Sequence, residues 1–188
     1  MAKLYYFTHP ASQINFHIPP QHWGLSEKGF AELEVLMKMD HWQSIEVVYS
    51  SAEPKSIIVA ERAAREHNID HFLEKRLGEA DRSQAKVIPA DQYMAKIKEA
   101  YANPHERINN WESHHSMRER NIAAVEEIIT SHKGKDIAII GHGGAGTCIK
   151  CHFKDVDLSF AEDPQKTGCY FVVDLETHNL LQDWESYS

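Results

Sequence analysis

Ile137-Ala138-Ile139-Ile140 is a short, unbroken apolar run, closed by Gly141 and followed at once by His142-Gly143-Gly144. Such a run reads as a strand buried on both faces, the position that strands occupy in the middle of a parallel sheet. A parallel sheet requires crossover helices, and the carboxyl ends of its strands converge on one crevice. Residues 3–8 form a second strand, and it too runs directly into a histidine, His9. Two histidines from opposite ends of the chain can therefore face a single bound ligand, a pairing that suggests phosphoryl transfer.

The intervening sequence supplies the crossovers. A loop over residues 10–25, punctuated by Pro19 and Pro20, leads to Ser26, which can cap a helix whose Phe30, Leu33, Leu36 and Met37 share one face. A buried strand follows at 46–50, then a helix at 53–67 with Pro54 in its first turn, where a missing backbone donor costs little. Residues 69–73 form a weaker strand leading into a polar segment, 76–83. Residues 90–111 read as a helical insertion ending at Asn103-Pro104. The helix at 112–132 then carries Met117, Ile122, Val125, Ile128 and Ile129 on its core face and stops at Lys133-Gly134-Lys135. A hairpin closes the chain, 170–174 and 180–184 joined through Thr177-His178-Asn179.

At 188 residues the chain fits one domain, large enough to bury a core without staples. The formal net charge of −8 argues against nucleic acid or an anionic membrane as partner, while leaving room for a local basic pocket that binds a small anion. No stretch approaches the roughly 20 apolar residues of a membrane helix, and the amino-terminal apolar run is too brief for a signal peptide. Cys148, Cys151 and Cys169 cannot all pair within one chain, so a reducing cytoplasm is the expected location.

Four polar groups fall just beyond predicted strands: His9, the turn from Ser50-Ser51 to Lys55, the turn from Glu79 to Arg82, and His142 with Gly143 and Gly144. A nucleophile, a cation, a proton donor and a second imidazole are the parts needed for phosphoryl transfer through histidine. In this order the motifs resemble the histidine phosphatase superfamily, the phosphoglycerate-mutase-like proteins, along almost the whole chain. Phe7-Thr8-His9-Pro10 stands where that family has Arg-His-Gly, and Leu25-Ser26-Glu27-Lys28-Gly29 is similar to its Leu-Thr-x-x-Gly. Ser50-Ser51-Ala52-Glu53-Pro54-Lys55 is similar to Ser-Ser-x-x-x-Arg, Leu77-Gly78-Glu79 to Leu-x-Glu, and Gly141-His142-Gly143 to the second His-Gly.

The resemblance implies a three-layer α/β fold of the phosphoglycerate-mutase-like type: a mostly parallel central sheet, helices on both faces, and a helical insertion at about 83–111 within a single domain, 1–188. It implies His9 as nucleophile, Glu79 as proton donor with nearby Asp81 as the other candidate, and His142 stabilising the phosphoryl oxygens. Lys55, Arg82 and Gly143 are the expected phosphate ligands. The implied activity is metal-independent hydrolysis of a small phosphomonoester through a phosphohistidine, or the narrower mutase version of it, with no cofactor and with a homodimer as the candidate assembly. Thr8 and Lys55 replace two arginines, and lysine holds phosphate only as a point charge. A charged hydrogen bond is worth about 1.5–3 kcal/mol, so the alternative is a weakened, phosphate-binding or regulatory protein. Arg82 is the residue expected to restore the missing charge, against a surface salt bridge for the same side chain. The Glu79-to-Ser83 and His142-to-Thr147 stretches resemble a branch of the family with a His-Pro opening.

Three other patterns have plainer readings. Gly141 to Gly146 fits G-x-G-x-x-G, yet the next strand with an acidic end, at Asp174, comes too late for a dinucleotide fold. Cys148-Ile149-Lys150-Cys151-His152 fits a haem-attachment pattern that would need export, and the cysteines are expected to pack as small apolar groups, without a metal. His114 and His115 are expected on an exposed helix face. Among the tryptophans, 42, 111 and 184 are expected in the core or at subunit contacts; Trp23 is the one expected to line the crevice, where His17 and His22 are further candidates.

Overall fold

The computed structural model describes residues 2–15, 17–86 and 88–187; position 16 of the expected loop and position 87 of the expected insertion lie outside these. Six strands, β1 (Lys3–Thr8), β2 (Val47–Ser50), β3 (Asp70–Leu73), β4 (Ile137–Gly141), β5 (Cys169–Asp174) and β6 (Leu180–Ser186), form one sheet in the order β3-β2-β4-β1-β5-β6. The pairs from β3 to β1 are parallel, whereas β5 runs antiparallel to both β1 and β6. The apolar run is the fully buried centre of this sheet, as its composition requires.

Side-chain alternation along β1 builds two cores. Tyr5 and Phe7 face α1 (Glu27–Met37) and α2 (Pro54–His67), which contribute Leu33, Leu36, Val59 and Ala63. Leu4 and Tyr6 face α4 (His114–Ser131) and α5 (Gly143–Lys154), which contribute Val125, Ile128, Ile149 and Phe153. The remaining helix, α3 (Ala90–Ala102), sends Tyr93, Ile97 and Tyr101 to the wall of a crevice at the carboxyl end of the sheet. Among the described residues, no helix is long and apolar enough to cross a membrane.

Two details of the helices depart from the expected pattern. Ser26 caps α1 as anticipated, accepting from the Gly29 amide at 3.0 Å, but Phe30 is 49% exposed. Gly29 takes the inward slot instead, because a Cβ there would sit 2.0 Å from the Ala11 carbonyl oxygen, and this close approach rotates the buried stripe to Gly29, Leu33, Leu36 and Met37. On α4, Met117, Val125 and Ile128 are buried, while Ile122 and Ile129 are half-buried; Asn121 and Ala124 fill the line between them. The three cysteines are buried and unpaired. Trp42 and Trp111 are buried, and half-buried Trp184 packs edge-on against Tyr6 and Phe171.

Candidate functional site

One register brings the two histidines together. Thr8 of β1 lies opposite Gly141 of β4, so the next residue on each strand, His9 and His142, leaves the sheet at the same edge. The His9 amide continues the ladder by donating to the Gly141 carbonyl at 2.9 Å, and the two imidazole centroids are 5.3 Å apart. Both rings line a cavity of about 430 Å³ together with Lys55, Glu79, Arg82 and Gly143. All six candidate residues thus share one site.

His9 Nδ1 lies 2.7 Å from the Pro10 carbonyl. A carbonyl only accepts, so Nδ1 carries the proton and Nε2 keeps its lone pair. Burial, with His142 and Lys55 adding to it, lowers the His9 pKa to about 3, so the ring is neutral at physiological pH. His142 is likewise lowered to about 3, by burial and then by the Lys55 charge. Its Nε2 meets the Ser51 hydroxyl at 2.7 Å and Glu53 Oε1 at 3.2 Å, while its buried Nδ1 has no partner among the described residues. With the ring neutral, the contact to Glu53 is a hydrogen bond to a carboxylate, not an ion pair.

Tyr6 fixes the backbone beneath this ring. Its hydroxyl accepts from the His142 amide at 2.9 Å and donates to the His142 carbonyl at 3.0 Å. Gly141 and Gly146 make room for it, since a Cβ on either would fall within 2.4 Å of the Tyr6 ring or hydroxyl. His142 is the N-cap residue of α5, and the amide of Gly144 in its first turn donates to Glu79 Oε2 at 3.0 Å. The other oxygen, Oε1, accepts from the Ala80 amide at 3.0 Å. Burial opposes ionisation of Glu79, but the Arg82 charge, His142 and the Ala80 amide outweigh it and hold the carboxyl below its usual range. Asp81 is exposed, bonded to Ser83, and does not line this cavity, so Glu79 is the carboxylate of that turn in the crevice.

Lys55 Nζ contacts Glu53 Oε2 at 2.7 Å and the Pro20 carbonyl at 2.9 Å. The Arg82 guanidinium lies 4.6 Å from the Trp111 ring centroid and donates to the Tyr93 hydroxyl, while its buried Nε has no partner among the described residues. It faces the cavity, stacked on an aromatic wall, a setting that suits a guanidinium better than an ammonium. The Thr8 hydroxyl points elsewhere, donating to the Cys169 carbonyl and accepting from its amide, so it extends the β1–β5 pairing.

Trp23 lines the cavity as expected; His17 and His22 do not. The exposed placement expected for His114 is corrected. As the first residue of α4 it turns toward α3, is 4% exposed, and packs edge-on against Tyr101 at 4.3 Å on the cavity wall. His115, about 100° further round the helix, is exposed. Glu53 and Tyr6 received no role from the sequence. An acidic residue immediately before Pro54 reads as a helix cap, and Glu53 does occupy the N-cap position, but its side chain makes no capping bond and enters the site instead.

Over 140 residues, 72% of this chain, the sequence is 24% identical to phosphoserine phosphatase 1 of Hydrogenobacter thermophilus. The match spans 66% of that protein, just under two thirds of its length. The structure of Bacillus stearothermophilus YhfR superposes with a TM-score of 0.80 at 19% identity, covering 98% of this chain and 96% of that one. A phosphoserine phosphatase of Entamoeba histolytica, solved with 3-phosphoglyceric acid, gives 0.78 at 13% identity, with 99% and 98% covered. A mycobacterial glucosyl-3-phosphoglycerate phosphatase solved with inorganic phosphate gives 0.74 at 14%, with 98% and 95% covered. At these identities the structures speak to the fold. The sequence itself matches the model of one family over residues 16–184, a span that begins beyond His9 and takes in Lys55, Glu79, Arg82 and His142, and on that match the chain belongs to the histidine phosphatase superfamily (branch 1).

Proposed function

We propose that the protein is a phosphatase that hydrolyses a small phosphomonoester through a phosphohistidine on His9, with no metal ion. The observation that carries this reading is the free Nε2 of His9 beside the unpartnered Nδ1 of His142 in one crevice. In the first step the Nε2 lone pair attacks phosphorus, the bond to the alcohol oxygen breaks, and Glu79 supplies the proton that the alcohol carries away. In the second, Glu79 takes a proton from water as its oxygen attacks phosphorus and the N–P bond breaks. Glu79 is ionised in the free site, but a phosphate dianion offsets the Arg82 charge that holds it so, leaving burial to favour the acid form. The same dianion favours protonation of His142, whose Nδ1–H then donates to a phosphoryl oxygen while Glu53 receives Nε2–H.

Lys55 and Arg82 supply the positive charge at phosphate, with Gly143 at the start of α5. The three unpaired thiols fit work in a reducing cytoplasm. One observation favours the second reading, a phosphate-binding regulatory protein: the Lys55 ammonium is already paired with Glu53. Hydrolysis of an aryl phosphate in the presence of a chelator separates the two. Turnover that is lost in His9→Ala, with an acid-labile phosphoryl group trapped on the native protein, supports the enzyme. Phosphate binding without turnover supports the regulatory protein.

A further inference from the structure

The cavity has a sharp division of chemistry. The two imidazoles, His9 and His142, and the charged groups Lys55, Glu79 and Arg82 gather at the sheet edge, where the phosphoryl group would sit. The rest of the wall carries a set of large apolar side chains beside the neutral polar residues Ser12, Gln21, Gln165 and Thr167. The loop after His9 contributes Ile14 and Trp23, α3 contributes Tyr93, Met94 and Ile97, and the turn at Phe160–Glu162 contributes Phe160. Ile14 is 62% exposed and Met94 46% exposed, so two large apolar side chains from separate segments stand in water around one opening. Scattered exposed apolar residues are ordinary, but a cluster lining a concave site marks what the site binds.

The charges on this wall do not form a carboxylate clamp. Lys166 is exposed on the rim, and Lys98 lies over the Phe160 ring at 5.2 Å. Asp163, also on the wall, accepts from the Tyr101 hydroxyl at 2.5 Å and would repel an anionic alcohol. Among the described residues Arg82 is the one arginine that lines this cavity, and the proposed reading places it at the phosphate end.

We infer that the alcohol half of the substrate is apolar and uncharged, an alkyl or aryl group seated against Ile14, Trp23, Met94, Ile97 and Phe160. This rests on the phosphatase reading and narrows it to a substrate class. The test compares hexyl phosphate with 3-phosphoglycerate and phosphoserine, three esters of unactivated alcohols, so that leaving-group reactivity does not decide the result. A kcat/KM at least tenfold higher for hexyl phosphate is expected. Met94→Gln, a neutral change of similar size at an exposed helix position, is expected to raise the KM for hexyl phosphate about tenfold more than that for 3-phosphoglycerate, through loss of apolar contact alone. Equal or greater kcat/KM for either carboxylated ester overturns the inference while leaving the phosphatase reading intact. If no ester turns over, the phosphatase reading fails, and calorimetry with hexylphosphonate then decides the wall alone: tighter binding than 3-phosphoglycerate supports an apolar ligand, and equal or weaker binding overturns it.

Discussion

Glu53 Oε1 lies 3.2 Å from His142 Nε2, and its other oxygen lies 2.7 Å from Lys55 Nζ, so one carboxylate holds both the second imidazole of the crevice and its lysine. It also receives the Glu79 amide at 3.1 Å. Lysine is a flexible point charge without the rigid fork of arginine, and this tether restricts where its ammonium sits. On the proposed phosphatase reading the tether has a cost, because a negative charge beside bound phosphate repels it.

Glu53→Gln is therefore expected to separate binding from turnover. Removing the charge should tighten inhibition by inorganic phosphate, while exchange of a charged acceptor for a neutral amide oxygen weakens the hold on His142 and lowers kcat by about 10-fold, the difference between a charged and a neutral hydrogen bond. Steady-state kinetics with phosphate as inhibitor measure both. Weaker phosphate inhibition together with unchanged kcat would remove Glu53 from this role.

Gly144→Ala tests the seat of Glu79. A Cβ at Gly144 would lie 2.5 Å from Glu79 Oε1, and the group in its way is the end of a side chain, which can move. The fold should lose little, about 1 kcal/mol or less in urea unfolding, while kcat falls in the range of about 10²- to 10⁴-fold ascribed to a displaced acid. Full activity in this variant would mean that the Glu79 carboxylate is not needed where it stands.

Arg82→Ala tests the cation supplied from the turn after Glu79. Its guanidinium is stacked on Trp111, so the loss expected is in anion affinity: vanadate inhibition should weaken by about 10- to 100-fold, the loss of one charged contact. Unchanged affinity would place Arg82 outside the phosphate pocket.

The parts of the site carried by strand ends were legible because sheet geometry is periodic. An apolar run identifies the central strand, and a strand that ends in histidine must deliver it to the carboxyl edge. Features set by packing between distant segments were not. Phe30 has the spacing of a core residue, but the contact between Gly29 and the Ala11 carbonyl rotates the helix away from it. His114 and His115 are indistinguishable in sequence, and their separation depends on Tyr101 of another helix. Glu53 sits inside a recognised motif, yet only the three-dimensional meeting of β2, β4 and α2 shows its carboxylate turning inward instead of capping.

Acid sensitivity follows from the two buried imidazoles. Each titrates near 6.5 in the unfolded chain and at about 3 in the folded one, so between these values the unfolded state binds more protons. Stability from this source is complete above about pH 6.5 and falls as the pH drops toward 3, by about 1.4 kcal/mol per pH unit for each ring. Other buried histidines and the carboxylates add to the overall slope, so the informative quantity is a difference. Urea unfolding of the native protein and of His9→Gln, each at pH 7 and pH 5, should show the native protein losing about 2 kcal/mol more than the variant over that interval. Equal losses would mean that His9 gains its proton in the folded protein as readily as in the unfolded chain, so that its ring would be mostly protonated at pH 5 and burial would not be what keeps it neutral.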